Sequence, residues 1–340
     1  MQIAVIGAGG WGTALSVLAA RAGCEVRLWS RSAAVVEDIN ERHLNRAYLA
    51  GQAIPEGVSA TCDEREVMRG AEIVLLAAPS HATRGLLECL RVCVEPGMLF
   101  VSATKGVEVE TAMRISEVVA DVLGRDAAAR FVCLSGPSFA REAAAGQPTA
   151  VVAASGVEEL SRRVQSALSV KNFRVYTNSD VVGTELGGAS KNVMALAAGM
   201  IAGLGFGANS VAALVTRGLA EMTRLALAEG ARIETLTGLA GLGDLVLTCT
   251  GGLSRNRHVG EELGRGRKLD EVLAGMSEVA EGVRTTRAIR LIASRRGVEL
   301  PITNEVHAVL YEGKGARGAV ESLMSRPLKD EFEETRNSER

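Results

Sequence analysis

The sequence predicts an α/β domain built on a parallel sheet, followed by an all-α domain. Three observations carry this expectation. Short apolar runs alternate with helix-like segments as far as about Val182. A glycine-rich turn follows the first of these runs and opens a helix. Beyond Val182 the periodicity is helical throughout, and no convincing strand remains. Repeated strand–helix–strand order implies parallel strands with helices on both faces.

Ile3–Ile6 is the first apolar run, and a helical pattern follows from about Gly12 to Ala22. Glu25–Trp29 is the second strand. Ile73–Ala77 is the next and stops before Pro79. Leu99–Ser102 follows Pro96-Gly97, and Phe131–Leu134 precedes Gly136-Pro137. Ala150–Ala154 and Phe173–Tyr176 complete the set. In the second half, Thr216–Leu227, Arg257–Leu263, Leu269–Met276, Arg284–Arg295 and Thr303–Tyr311 have helical spacing. Between Lys191 and Arg217 there is no charged residue, a length that would span a bilayer. The stretch is rich in Ala and Gly, carries Asn192, Asn209 and Ser210, and is broken by Gly203, Gly205 and Gly207. It therefore reads as a buried helix, a glycine break and a second helix, with no membrane span. The expected domains are 1–186, the alternating half, and 187–328, the helical half. Residues 329–340, charged and without apolar periodicity, are expected to be a disordered tail.

The 340 residues suit about two domains. The hydrophobic fraction is 47 % with only 3 % aromatic residues, so the core must be aliphatic. The 38 basic and 40 acidic residues leave a net charge of -2, which argues against a nucleic-acid surface. The 6 cysteines form no C-x-x-C pair and fit buried small residues in a reducing cytosol. The 4 histidines are scattered, so no metal site is expected. A strand pattern starts immediately after Met1, which leaves no room for a signal peptide and favours a cytoplasmic location.

Gly7-Ala8-Gly9-Gly10-Trp11-Gly12 is G-x-G-x-x-G between a strand and a helix, the context that points to a dinucleotide. Gly7 permits the tight turn, Gly9 lets the backbone reach a pyrophosphate, and Gly12 allows close helix–sheet packing. NAD sites place an acidic residue at the end of the second strand, to bind the ribose hydroxyls. Here that end reads Trp29-Ser30-Arg31-Ser32. Arg31 can pair with a 2′-phosphate that a carboxylate would repel, so NADP(H) is favoured and NAD(H) stays open.

Lys105, in Ala103-Thr104-Lys105-Gly106, and Gly136 with Ser138, in Ser135-Gly136-Pro137-Ser138, follow strands and face the expected crevice. Each stretch also reads as an ordinary loop. Lys191 follows Gly187-Gly188-Ala189-Ser190 at the expected mouth of an apolar helix, where desolvation would lower its pKa and suit it to proton transfer. Asp244 is one carboxylate in a long uncharged stretch, with Lys or Arg as its expected partner. Ser254-Arg255-Asn256 opens a helix and is suited to a phosphate.

The chain resembles bacterial NAD(P)-dependent glycerol-3-phosphate dehydrogenase. The matching stretches are GAGGWGTAL (7–15), HLNRAYL (43–49), ATKGVE (103–108), SGPSFARE (135–142), GQPTAV (146–151), GASKNVMALAAGM (188–200), TRGLAEM (216–222), GLAGLGDLVLTC (238–249), SRNRHVG (254–260) and VAEGV (279–283). The resemblance implies a Rossmann domain followed by a helical substrate domain. It implies interconversion of dihydroxyacetone phosphate and sn-glycerol 3-phosphate, feeding phospholipid synthesis. It implies dinucleotide contacts from Gly10, Trp11, Arg31, Tyr48, Lys105, Ala140, Arg255, Val279 and Glu281. Lys105, Gly136, Ser138, Lys191, Asp244, Ser254, Arg255 and Asn256 would surround the substrate, with Lys191 as proton donor or acceptor and Asp244 positioning it. Gly10 stands where the family often has Ser or Thr, Ser32 where a second basic residue is common, Ala50 for a usual Pro and Gly251 for a frequent Ser. A β-hydroxyacid dehydrogenase is the enzymatic rival, disfavoured by the S-R-N and G-L-G-D-L blocks. A dinucleotide-sensing regulator would need no Lys191 with Asp244. The apolar helices of the second domain fit a homodimer interface or simply a core.

Overall fold

The structure is a computed structural model that describes residues 1–276, 280–328, 330 and 331. Eight strands form one sheet: β1 (Gln2–Ile6), β2 (Glu25–Trp29), β3 (Val58–Thr61), β4 (Ile73–Leu76), β5 (Leu99–Ser102), β6 (Phe131–Ser135), β7 (Thr149–Ala154) and β8 (Phe173–Asn178). Their order is β3-β2-β1-β4-β5-β6-β7-β8. β4, β5 and β6 are buried at every residue, as expected for near-continuous apolar strands covered on both faces. Edge strand β3 is new relative to the sequence reading. It is four residues long and half polar, so neither length nor alternation marked it.

The sheet is not wholly parallel. β7 runs antiparallel to β6, and β8 runs parallel to β7. The link from β6 to β7 contains one short helix, Ala140–Ala144. Five residues of helix rise ~7.5 Å, while a six-residue strand runs ~20 Å. Such a link cannot carry the chain back to the starting edge, so it returns pointing the other way.

Two aliphatic layers cover the sheet. One packs Ile3, Val5, Leu28, Leu75 and Val101 against Leu15 and Leu18 of the helix Gly10–Arg21. The other packs Ile6, Val74, Leu76 and Phe100 against Leu87, Val118 and Val119. A third core lies in the helical half and centres on the helix Val181–Gly203, which is buried from Gly183 to Ile201. This helix meets the helix Arg255–Gly264 almost backbone to backbone. A Cβ on Gly199 would lie 2.0 Å from the Arg257 carbonyl oxygen, and one on Gly260 would lie 2.0 Å from that of Leu196. The small residues that argued against a membrane span in this segment are what permit this approach.

Two expectations change here. Gly187-Gly188 and Lys191 are not at a helix mouth. The helix begins at Val181, capped by Asp180, whose carboxylate accepts from the Gly183 N–H at 2.8 Å. The expected start of the second domain, residue 187, falls within this continuous helix, and the change from alternating to helical structure comes at Asp180. Gly187 serves close packing inside this helix: a Cβ on it would lie 2.7 Å from the Ala240 carbonyl oxygen. The expected glycine break comes at Gly205, with φ +80°, before the helix Ala208–Ala228. Among the described residues no helix is long and apolar enough to cross a membrane. Most of the expected tail, Lys329 and residues 332–340, lies outside the described residues.

Candidate active site

The first part of the site is backbone. β1 ends at Ile6, and Gly7 turns the chain at φ +116° into the helix Gly10–Arg21. A Cβ on Gly12 would stand 1.9 Å from the Gly7 carbonyl oxygen, so only glycine lets this helix start so close to the strand. Gly9 faces open space, with nothing within 4 Å of where its Cβ would be. Tyr48 and Ala140 flank the turn. From a Cβ on Gly10, the Tyr48 carbonyl oxygen would be 3.0 Å away and the Ala140 Cβ 3.7 Å. The Trp11 indole N–H is buried without a protein acceptor. An orphaned buried donor beside an open glycine turn at a helix N-terminus fits an acceptor-rich ligand such as a dinucleotide. Arg31 follows β2 and is exposed.

The second part is made of side chains. Asp244 opens the helix Asp244–Thr250 and is 0 % exposed. Two ammonium groups hold it. Lys191 Nζ donates to Oδ1 at 2.7 Å, and Lys105 Nζ donates to Oδ2 at 2.8 Å. Lys105 also donates to the Gly136 carbonyl at 2.7 Å and to Ser138 Oγ at 3.2 Å. Lys191 donates to Thr248 Oγ1 at 2.8 Å, and Thr248 donates to the Asp244 carbonyl at 2.6 Å. A buried and a partly buried cation thus share one carboxylate, leaving a local excess of positive charge. Burial pulls the Lys191 ammonium down to about 8. The Asp244 carboxylate resists this shift and the Lys105 charge adds to it.

The third part joins the domains. Asn192 Nδ2 donates to the Lys105 carbonyl at 2.8 Å, and Asn192 Oδ1 accepts from Asn256 Nδ2 at 3.0 Å. Asn256 Oδ1 accepts from the Gly282 N–H at 2.9 Å. Ser254 caps the helix Arg255–Gly264, accepting from the Arg257 N–H at 3.2 Å. Arg255 starts that helix. Glu281 Oε1 accepts from the Ser80 N–H at 2.9 Å. Burial pushes the Glu281 carboxyl up, opposed by the Ser80 bond and by the charges of Arg255, Lys191 and Lys105.

Of the residues singled out from sequence, Lys105, Gly136, Ser138, Lys191 and Asp244 form one hydrogen-bonded cluster. Asn256 reaches it through Asn192. Gly7, Gly9, Gly10, Trp11, Gly12, Tyr48 and Ala140 surround the glycine turn. Trp11 links the two groups, with Lys105 Nζ 6.0 Å from its ring centre. Arg31 lies apart from the cluster, beyond the end of β2. Val279 lies outside the described residues. Sequence reading missed Thr248, Asn192 and Ser80. Thr248 had a signal, lying four residues after Asp244 and so on the same helix face. Among the described residues no three His, Cys, Asp or Glu side chains are grouped so as to hold a metal.

Comparison with known proteins identifies the family. Residues 2–161 match the family model described as NAD-dependent glycerol-3-phosphate dehydrogenase N-terminus, and residues 180–321 match the one for its C-terminus. A glycerol-3-phosphate dehydrogenase of the NAD(P)+ type from Koribacter versatilis is 56 % identical over 328 residues, 96 % of this chain and 97 % of that protein. One from Geobacter sulfurreducens is 52 % identical over 330 residues, 97 % of this chain and 98 % of its own length. The crystal structure of glycerol-3-phosphate dehydrogenase from Coxiella burnetii superposes with a TM-score of 0.91 at 39 % identity, covering 96 % of this chain and 99 % of that one. The glycine turn, the buried lysine–aspartate cluster and these matches lead to one conclusion: the chain belongs to the NAD-dependent glycerol-3-phosphate dehydrogenase family.

Proposed function

We propose that the protein interconverts dihydroxyacetone phosphate and sn-glycerol 3-phosphate with NAD(P)H, and so supplies glycerol 3-phosphate for phospholipid synthesis. The observation that carries the reading is Asp244, fully buried and shared by the Lys191 and Lys105 ammonium groups. The reduced dinucleotide, when bound, supplies a hydride to the carbonyl carbon. Negative charge then gathers on the carbonyl oxygen. Lys191, titrating near 8, stabilises that oxygen and hands it a proton, and in the reverse direction takes one from the hydroxyl. Asp244 keeps Lys191 aimed and charged, while Lys105, anchored on Gly136 and Ser138, neutralises the other carboxylate oxygen. Ser254, Arg255 and Asn256 hold the phosphate dianion at a helix start. Fixing that distant group sets the carbonyl against the dinucleotide.

The dinucleotide is held by residues of 1–186 together with Arg255 and Glu281, and the substrate mainly by 187–328. Arg31 in place of an acidic residue favours NADP(H) over NAD(H). The six cysteines, all unpaired, fit a cytoplasmic location. A homodimer fits the exposed apolar side chains of Leu227, Ile233, Val246 and Leu253 in the helical half, and sedimentation would detect it. The deciding experiment is a substrate panel with NADPH and NADH, followed by nicotinamide absorbance. Dihydroxyacetone phosphate should be reduced far faster than dihydroxyacetone or any 2- or 3-keto acid. Preferential turnover of a keto acid would overturn the reading.

A further inference from the structure

Asn45, a buried side chain beside the glycine turn, has no part in the chemistry above. It is 1 % exposed and lies between the helix Ala33–Arg42 and β3. Its Nδ2 donates to the Ala8 carbonyl at 2.9 Å and to Thr13 Oγ1 at 2.8 Å. Its Oδ1 accepts from the Tyr48 N–H at 3.3 Å. Thr13, fully buried in the helix Gly10–Arg21, donates to the same Ala8 carbonyl at 3.3 Å. Asn45, Thr13 and the Ala8 carbonyl thus close a ring of hydrogen bonds at the turn. Of the side chains this short, only an amide can donate twice and accept once.

Ala8 is the second residue of the turn. Glycine gives that turn its close approach, but it leaves the Ala8–Gly9 peptide free to rotate. A trans peptide is planar, with its C=O and N–H pointing opposite ways. No cis bond occurs among the described residues. Two donors on the Ala8 carbonyl therefore also fix the direction of the Gly9 N–H, which points away from Asn45. Among the described residues nothing accepts from that N–H. Gly9 borders open space, with nothing within 4 Å of where its Cβ would be. The same Asn45 side chain also reaches the wall of the turn. Tyr48, whose N–H it accepts, has its carbonyl oxygen 3.0 Å from where a Cβ on Gly10 would stand.

We propose that Asn45 is a positioning residue for the dinucleotide. It touches no part of the ligand. It holds the Ala8–Gly9 peptide at the angle that aims the amides of the turn at the pyrophosphate, and it ties Tyr48 to the same frame. Less ordering is then needed when the dinucleotide binds. The segment has other anchors, so its fold does not hang on Asn45. The Arg46 N–H donates to Asp38 Oδ2 at 2.9 Å, and the Ile54 N–H donates to the His43 carbonyl at 2.9 Å.

The test is calorimetry on the full chain with NADPH and with ADP-ribose, which keeps the pyrophosphate and lacks the nicotinamide. No ketone is present, so the result does not depend on the substrate reading. Asn45→Leu is close to Asn in shape and adds no charge. It should weaken both ligands about tenfold, the upper worth of a hydrogen bond between neutral groups. KM for the dinucleotide should rise in parallel, while kcat at saturating dinucleotide stays within about twofold of wild type. Thr13→Val removes the second donor and should weaken both ligands by a smaller factor. Thr13→Ser keeps the hydroxyl and should bind like wild type. A merely structural role would lower the melting temperature and leave affinity alone. Affinity of Asn45→Leu within about twofold of wild type therefore overturns the proposal, whatever its melting temperature. A kcat that falls as far as the affinity overturns it too, because Asn45 would then serve the chemical step. If Asn45→Leu does not fold, the Thr13 variants decide: Thr13→Val binding as tightly as Thr13→Ser overturns the proposal.

Discussion

The dinucleotide turn and the lysine–aspartate cluster are built in opposite ways. The turn comes from six consecutive residues, Gly7 to Gly12, and works through backbone amides and missing side chains. The cluster draws Lys105, Gly136, Ser138, Lys191, Asp244 and Thr248 from separate parts of the chain and works through side-chain charge. The difference teaches where each is vulnerable. The turn fails when an atom is added, because the Gly7 carbonyl oxygen already occupies the space a Cβ on Gly12 would need. The cluster fails when an atom is removed, because each buried polar group is satisfied by another member.

The largest expected effect lies in the cluster. Lys191→Ala should lower kcat by about 10²–10⁴-fold or more through loss of the acid, while dinucleotide affinity, read by nicotinamide fluorescence, changes little. Retention of more than about a tenth of wild-type kcat would remove Lys191 from the chemistry. Next comes the phosphate end. Arg255→Ala should cost roughly 10–150-fold in kcat/KM for dihydroxyacetone phosphate, the worth of a charge-assisted contact of about 1.5–3 kcal/mol. Dihydroxyacetone, without a phosphate, should be slowed far less. Equal losses on both substrates would assign Arg255 to the dinucleotide or the fold.

The pH profile sharpens the contrast, because the turn contains no titrating group. Reduction needs Lys191 protonated, so its rate should fall about tenfold per pH unit above a midpoint near 8. Oxidation needs the neutral amine and should rise through the same midpoint. Stopped-flow measurement in both directions checks the sign, and a reductive limb that stays flat to pH 10 would separate Lys191 from the proton. Gly12→Ala adds one methyl to the turn and should destabilise the fold by about 1–3 kcal/mol through overpacking, visible in a denaturant melt. Thr248→Val, the smallest change, removes one hydrogen bond to Lys191. It should cost kcat about 2–13-fold, equivalent to about 0.5–1.5 kcal/mol.

Local features were legible in advance. Seven of the eight strands were marked by apolar runs, and the turn by its glycines between a strand and a helix. From sequence, Gly187 and Gly188 stand at the expected domain boundary, which puts Lys191 at a helix mouth, whereas the helix starts at Val181. In the fold they are pressed against Ala240 and Ser135, where packing outweighs their poor intrinsic propensity. Direction within the sheet was also missed, since apolar runs carry no sign of which way a strand points.

By itself the sequence determined the two kinds of architecture, the dinucleotide turn and the chemical types available to the site. These follow from spacing along the chain, where backbone geometry sets the period. Only the tertiary structure decided that Lys105 and Lys191 share one fully buried carboxylate. It also decided that Asn192 ties Lys105 to the helix Arg255–Gly264, and that Ser80 meets Glu281. Such pairings join residues far apart in the chain. They are selected by the need to satisfy every charged and polar group withdrawn from water, a condition that exists only once the domains close on each other.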